Sequence, residues 1–123
     1  MQIVNTSHAP AAIGPYSQAV LQGEFLFVSG QLGINPETGE MPYTFEEQAY
    51  LVFANLRGIL EEAGLGFANV VKVSVFLKDM SKFSALNEIY AQHFDAPYPA
   101  REAYEVSRLP KDGLVEISVI AAR

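Results

Sequence analysis

The chain contains no cysteine. Disulfide scaffolds, thiolate zinc sites and cysteine nucleophiles are thereby excluded. Positive charge is scarce: 8 Lys and Arg stand against 14 Asp and Glu, a formal net charge of −6. That balance disfavours binding to nucleic acid, which depends on neutralising phosphates, and no nucleic-acid partner is expected. Histidine occurs only as His8 and His93, far apart in the chain. Both read as surface residues, and no metal is expected. No apolar run approaches membrane-spanning length, and no basic-then-apolar leader opens the sequence. The expectation is a cytoplasmic protein with no membrane partner. P-loop, GxGxxG, GxSxG and calcium-loop patterns are also missing, so no cofactor is expected.

What is present is a chain of 123 residues, half of them hydrophobic and 18% charged. This suffices for a single domain, residues 1–123, with a real core. Gln2-Ile3-Val4 is a short candidate strand. Ser17–Leu21 and Glu24–Leu32, separated by Gln22-Gly23, predict a β-hairpin. In the second of these strands Phe25, Phe27, Ser29 and Gln31 alternate with Leu26, Val28 and Gly30. A glycine inside a strand marks either a bulge or a close approach to the backbone, so Ser29-Gly30-Gln31 is a candidate ligand-facing edge. Thr44 with Glu47 predicts a helix N-terminus, and Phe45, Ala49, Val52, Phe53, Leu56 and Leu60 continue at helical spacing to Gly64. Val70–Leu77 reads as a central strand. A second helix begins near Ser81 and ends before Pro97, with Asn87 on its apolar face, where its amide either holds a neighbouring loop or reaches a ligand.

Two more strands follow, Arg101–Ser107 and Leu114–Ala122, around Leu109-Pro110-Lys111-Asp112-Gly113. Pro110 presets φ there and Gly113 supplies a positive φ, so the pair reads as a hairpin. The strand–helix order predicts an α+β two-layer sandwich with both helices on one face of a mixed sheet. Val71, Val73 and Val75, with Val115, Ile117 and Val119, supply apolar residues for both sheet faces. The face without helices then asks for another copy of the chain.

Arg101 and Glu116 are the chemical candidates. A planar, permanently charged guanidinium suits a carboxylate ligand. A carboxylate flanked by Val115 and Ile117 suits handling water or a proton. The plain alternative is a solvated or mutually paired Arg and Glu. In the hairpin register Glu116 lies opposite Val106 and Arg101 opposite Ala121. That puts them about five residues, roughly 16 Å, apart along the ladder. One small ligand could then meet both only if they came from different chains.

Ala11-Ala12-Ile13-Gly14-Pro15-Tyr16-Ser17-Gln18-Ala19, Val28-Ser29-Gly30-Gln31, Val75-Phe76-Leu77-Lys78-Asp79-Met80, Asn87-Glu88-Ile89-Tyr90, Pro99-Ala100-Arg101 and Val115-Glu116-Ile117 together resemble the RidA/YjgF family of reactive-intermediate deaminases. The resemblance implies a chorismate-mutase-like protomer with a sheet of about six strands, assembled as a homotrimer with inter-subunit clefts. It implies hydrolysis of 2-iminobutanoate and 2-iminopropanoate, released by pyridoxal-phosphate dehydratases, as a form of metabolite damage control. By the same resemblance Arg101 grips the substrate carboxylate and Glu116 positions the attacking water. Tyr16, Ser29, the Gly30 backbone and Asn87 complete the cleft, with Ala103 where many bacterial members carry cysteine. Glu102 departs from the small residue usual after the arginine; strand parity points it away from Arg101. A non-catalytic sensor of 2-oxo acids would use the same arginine but has no need of Glu116. A ribonuclease or translation inhibitor, activities ascribed to some relatives, fits poorly with an acidic chain lacking a catalytic histidine pair.

Overall fold

The computed structural model describes residues 1–123. Its strands are β1 (Gln2–Val4), β2 (Ala19–Gln22), β3 (Phe25–Leu32), β4 (Val70–Leu77), β5 (Ala100–Glu105) and β6 (Val115–Ala122). They form one mixed sheet in the order β1-β2-β3-β6-β4-β5, in which only the β4–β5 pair is parallel. Helices α1 (Phe45–Glu62) and α2 (Phe83–Tyr90) cover one face. This is the expected α+β two-layer sandwich.

Local signals account for α1, whereas α2 has no side-chain cap and spans only Phe83–Tyr90 within the stretch expected from Ser81 to before Pro97. Thr44 caps α1: its hydroxyl accepts from the Glu47 N–H at 3.2 Å and donates to the Glu47 carboxylate at 2.9 Å. Such a cap contributes about 1 kcal/mol. Gly64, at φ +75°, ends α1 in a left-handed turn in which the Leu65 N–H reaches the Leu60 carbonyl. Between helices and sheet lies a core of 24 buried residues, with Phe53, Leu56, Leu26, Val75 and Ile117 at its centre.

The non-local expectations fare differently. β5 and β6 are not a hairpin, because β4 lies between them. Arg101 is opposite Val73 of β4, not Ala121, and Glu116 is opposite Phe76 of β4 and Leu32 of β3, not Val106. The reason is composition. β4 and β6 each alternate fully buried side chains with partly exposed ones, which suits central strands, whereas β5 carries Arg101, Glu102 and Glu105, which suits an edge. The connection through Pro110–Asp112 is a 3-10 turn, and its positive φ values fall on Lys111 (+56°) and Asp112 (+55°). Gly113 has φ −61°, so no left-handed backbone calls for glycine there; a Cβ would meet Leu32 Cδ2 at 2.9 Å, the end of a side chain that would have to shift.

Three further corrections concern facing. A bulge between Val28 and Gln31 returns Gln31 to the core side, with Leu26 and Val28 rather than with Phe25 and Phe27. Val73, Val75, Val115, Ile117 and Val119 all face the helices, and Val71 is exposed at the β4 irregularity. The apolar part of the open face comes instead from Ile3, Val20, Phe27 and Ile120 in one row across the sheet, with Phe76 and Tyr104 in another. Finally, His93 is half-buried rather than a free surface residue. Its ring stacks on Phe53 with centroids 4.4 Å apart, and its Nε2 is buried without a partner. Burial, with Arg57 beside it, holds its pKa below the ordinary 6.5.

Candidate active site

The β3 bulge opens one wall of a cavity of about 640 Å³. Tyr16, Ser29, Gly30 and Glu116 line it. Ser29 donates its N–H to the Gln18 carbonyl at 2.9 Å and its hydroxyl to the Ser17 carbonyl at 2.6 Å. With that proton committed, the Ser29 oxygen is left with acceptor capacity at the cavity wall. Gly30 leaves the space that Glu116 fills, since a Cβ on residue 30 would stand 2.7 Å from Glu116 Oε1. The structure shows the bulge, and its residues Ser29, Gly30 and Gln31 line the cavity.

Glu116 extends from β6 between Phe76 and Leu32. Burial raises its carboxyl above the ordinary 4.5, and no charge or hydrogen bond offsets the effect. A carboxylate so placed takes up a proton more readily than a solvated one.

Buried amides hold the walls, and the sequence reading passed over them. Gln18, 2% exposed, accepts from the Thr6 N–H and donates to the carbonyls of Thr6, Ala9 and Pro10, fixing the segment that leads to Tyr16. Asn55 donates from α1 to the carbonyls of Leu32 and Ile34. Gln48 donates to the Pro42 carbonyl and accepts from the Leu114 N–H. The available signal was an amide falling within an otherwise apolar helical stripe, as Gln48 and Asn55 do.

Arg101 occupies a different place. Its guanidinium lies over the rings of Tyr90 (4.7 Å) and Phe83 (5.3 Å) and donates to Asn87 Oδ1 at 2.8 Å. Asn87 thus holds Arg101 within this chain, and Ala103, two residues along β5, packs on the core beside it. Three contacts fix the guanidinium plane while the side chain remains exposed, leaving N–H groups free for a planar anion. Glu102 points to the other face, where it accepts from Ser74 Oγ at 2.6 Å and pairs with Lys72 at 3.4 Å. Its carboxyl, held below its ordinary value first by the Ser74 hydrogen bond, takes no part in the Arg101 seat.

The candidate residues therefore form two groups. Arg101, Asn87 and Ala103 lie on the helix-covered side at the β5 edge. Tyr16, Ser29, Gly30 and Glu116 lie at the cavity, with Glu116 on the open face of the sheet. Between Arg101 and Glu116 the register advances from Val73 to Phe76 on β4, about 10 Å along the strand, and spans two strand spacings, about 10 Å more across. No group of three or more His, Asp or Glu side chains is placed to hold a metal ion.

The family model described as endoribonuclease L-PSP matches residues 6–123. The 2-iminobutanoate/2-iminopropanoate deaminase of Capra hircus is 49% identical over 123 residues, 99% of this chain and 90% of its own. The crystal structure of RidA from an Antarctic Psychrobacter superposes with a TM-score of 0.98 at 47% identity over the whole of both chains. Escherichia coli TdcF, solved with bound serine, superposes with a TM-score of 0.96 at 44% identity, covering 100% of this chain and 99% of that one. On the sheet order, the cavity and these matches along nearly its full length, the chain belongs to the RidA/YjgF family.

Proposed function

We propose that the chain hydrolyses small 2-imino acids, 2-iminobutanoate and 2-iminopropanoate, to the corresponding 2-oxo acids and ammonia. The observation that carries this reading is Glu116, an unpaired carboxylate half-buried in a cavity. Such a group is unhelpful for holding an anion, so a carboxylate sensor has no use for it. It suits a reaction in which water must lose a proton. The relatives named deaminases, and the amino acid bound to TdcF, support the same substrate class.

A protonated imine is already electrophilic, so hydrolysis needs positioning and proton transfer. Glu116 accepts a proton from water as the oxygen attacks the C=N carbon. The C=N bond becomes a C–N single bond, the proton passes to nitrogen, and ammonia leaves as the carbonyl forms. One iminium and one water give one 2-oxo acid and one ammonium ion. The Arg101 guanidinium, held by Tyr90, Phe83 and Asn87, grips the substrate carboxylate, and the Ser29 oxygen accepts from the imine N–H.

We further infer that each site is shared between copies in a homotrimer, the Arg101 group coming from one protomer and the Glu116 group from the next. The support is the placement of the two groups on opposite sides of one sheet, with the apolar row of Ile3, Val20, Phe27 and Ile120 on the open face. The activity is tested by coupling the protein to a dehydratase that releases 2-aminoacrylate or its four-carbon homologue. Ammonia release faster than the solvent reaction is expected. No acceleration, with 2-oxo acid binding retained, would establish the sensor instead.

A further inference from the structure

The cavity holds one basic residue, Lys111, and it is held there at a conformational cost. Lys111 sits at φ +56°, ψ +25°, a left-handed conformation that glycine, asparagine and aspartate adopt far more readily than lysine. The turn enforces it from both ends. The Asp112 N–H bonds to the Leu109 carbonyl and the Gly113 N–H to the Pro110 carbonyl, each at 3.1 Å. Arg108 Nε grips Asp112 Oδ1 at 2.9 Å, Gly113 packs on Leu32, and the Leu114 N–H is tied to Gln48 on α1. Pro110 and Lys111 are thereby presented to the cavity, and Lys111 enters neither of the chain's ion pairs.

In the single chain the cavity, about 640 Å³, is open on one side, and Lys111 and Glu116 both line it. Glu116, its one acid, repels an anionic group nearby, so a second negative charge on a ligand is favoured only toward Lys111.

We propose that Lys111 is a specificity-determining residue that reads the far end of the substrate side chain, so that the site takes 2-imino and 2-oxo acids bearing a second carboxylate. This rests on the reading of the cavity as an imino-acid site.

The test compares wild type, Lys111→Gln and Lys111→Arg on the imines of glutamate and of 2-aminobutanoate, generated in situ by an amino-acid oxidase. Calorimetric affinities for 2-oxoglutarate and 2-oxobutanoate are measured alongside. In Lys111→Gln the dicarboxylate-to-monocarboxylate ratio of kcat/KM falls about three- to tenfold, and so does the affinity ratio. Lys111→Arg restores both, and added salt shrinks the difference. Lys111→Gly, which relaxes the left-handed residue, shows the same lost ratio with no fall in Tm. An equal loss on both substrates overturns the proposal, since Lys111 would then serve the carboxylate common to both. So does an unchanged ratio. If wild type hydrolyses no imine, the deaminase reading fails, while the two oxo-acid affinities still decide the role of Lys111.

Discussion

Arg101 is held before any ligand arrives, by two aromatic faces and one amide oxygen. A lysine there would keep the charge but lose both the planar two-point contact and the stacking. Arg101→Lys is therefore expected to lower kcat/KM for 2-imino acids by about ten- to a hundredfold, because a charge-assisted pair contributes roughly 1.5–3 kcal/mol. Steady-state ammonia release measures it, and wild-type kinetics in the variant would make Arg101 a structural residue. In the proposed reaction Glu116 carries the pH dependence. Acting as a base, it must be ionised, so kcat/KM falls as pH drops through a value above 4.5, and Glu116→Gln loses that limb along with most activity. The folded chain holds this proton more tightly than the unfolded one. The associated stability is thus full below about 4.5 and declines as pH rises through the raised value. Thermal melts across that window should show a shallower decline in Glu116→Gln than in wild type, and parallel curves would contradict the burial of the charge. Residue identity was legible in the sequence for both side chains. Their neighbours were not, because Phe83, Tyr90 and Asn87 reach Arg101 only through the docking of α2 beside β5.

At the scale of elements, the β3 bulge is the feature on which the cavity depends. Gly30→Ala places a methyl group against the end of a flexible Glu116 side chain, not against backbone. Folding should therefore survive, with Tm within a few degrees of wild type. The carboxylate must shift and, in the proposed reaction, the attacking water with it, so kcat/KM is expected to fall by about tenfold or more. An unchanged rate would mean that the position of Glu116 is not critical. The same strand shows where periodicity misleads. Alternation assigned Gln31 to the side of Phe25 and Phe27, and one extra residue at the bulge reversed it. α1, by contrast, was legible from cap to cap, because Thr44, Glu47 and Gly64 act on backbone groups within a few residues of themselves. The turn at Pro110–Gly113 was legible as a turn but not in its detail. Its positive φ values sit on Lys111 and Asp112, and the atom nearest a Cβ at 113 belongs to Leu32, a residue distant in sequence.

For the molecule as a whole, the separation of Arg101 from Glu116 makes a complementation test decisive. Arg101→Ala and Glu116→Ala proteins, each inactive, are mixed, dissociated and reassembled. With shared sites, some mixed oligomers contain an intact Arg–Glu pair and activity returns. With sites inside one chain, every site keeps a lesion and the mixture stays dead. Light scattering should report an assembly at micromolar concentration, and a stable monomer would sink the shared site. The hairpin register led to the same expectation by a wrong route. It separated the two residues along a ladder that does not exist, whereas the structure separates them by an intervening strand and by sheet face.

The sequence by itself determined the helices, the approximate strands, the α+β class and the identity of the charged candidates. Those features arise from caps, turns and periodicities that operate over a few residues. Only the tertiary structure decided strand order, the side of the sheet each candidate occupies and the shape of the cavity. β4 lies between β5 and β6 because a strand of alternating buried side chains is best covered with a strand on each side, whereas β5, with its charged residues, tolerates the open edge. That choice is a competition among pairings distant in the chain, and no local pattern records its outcome.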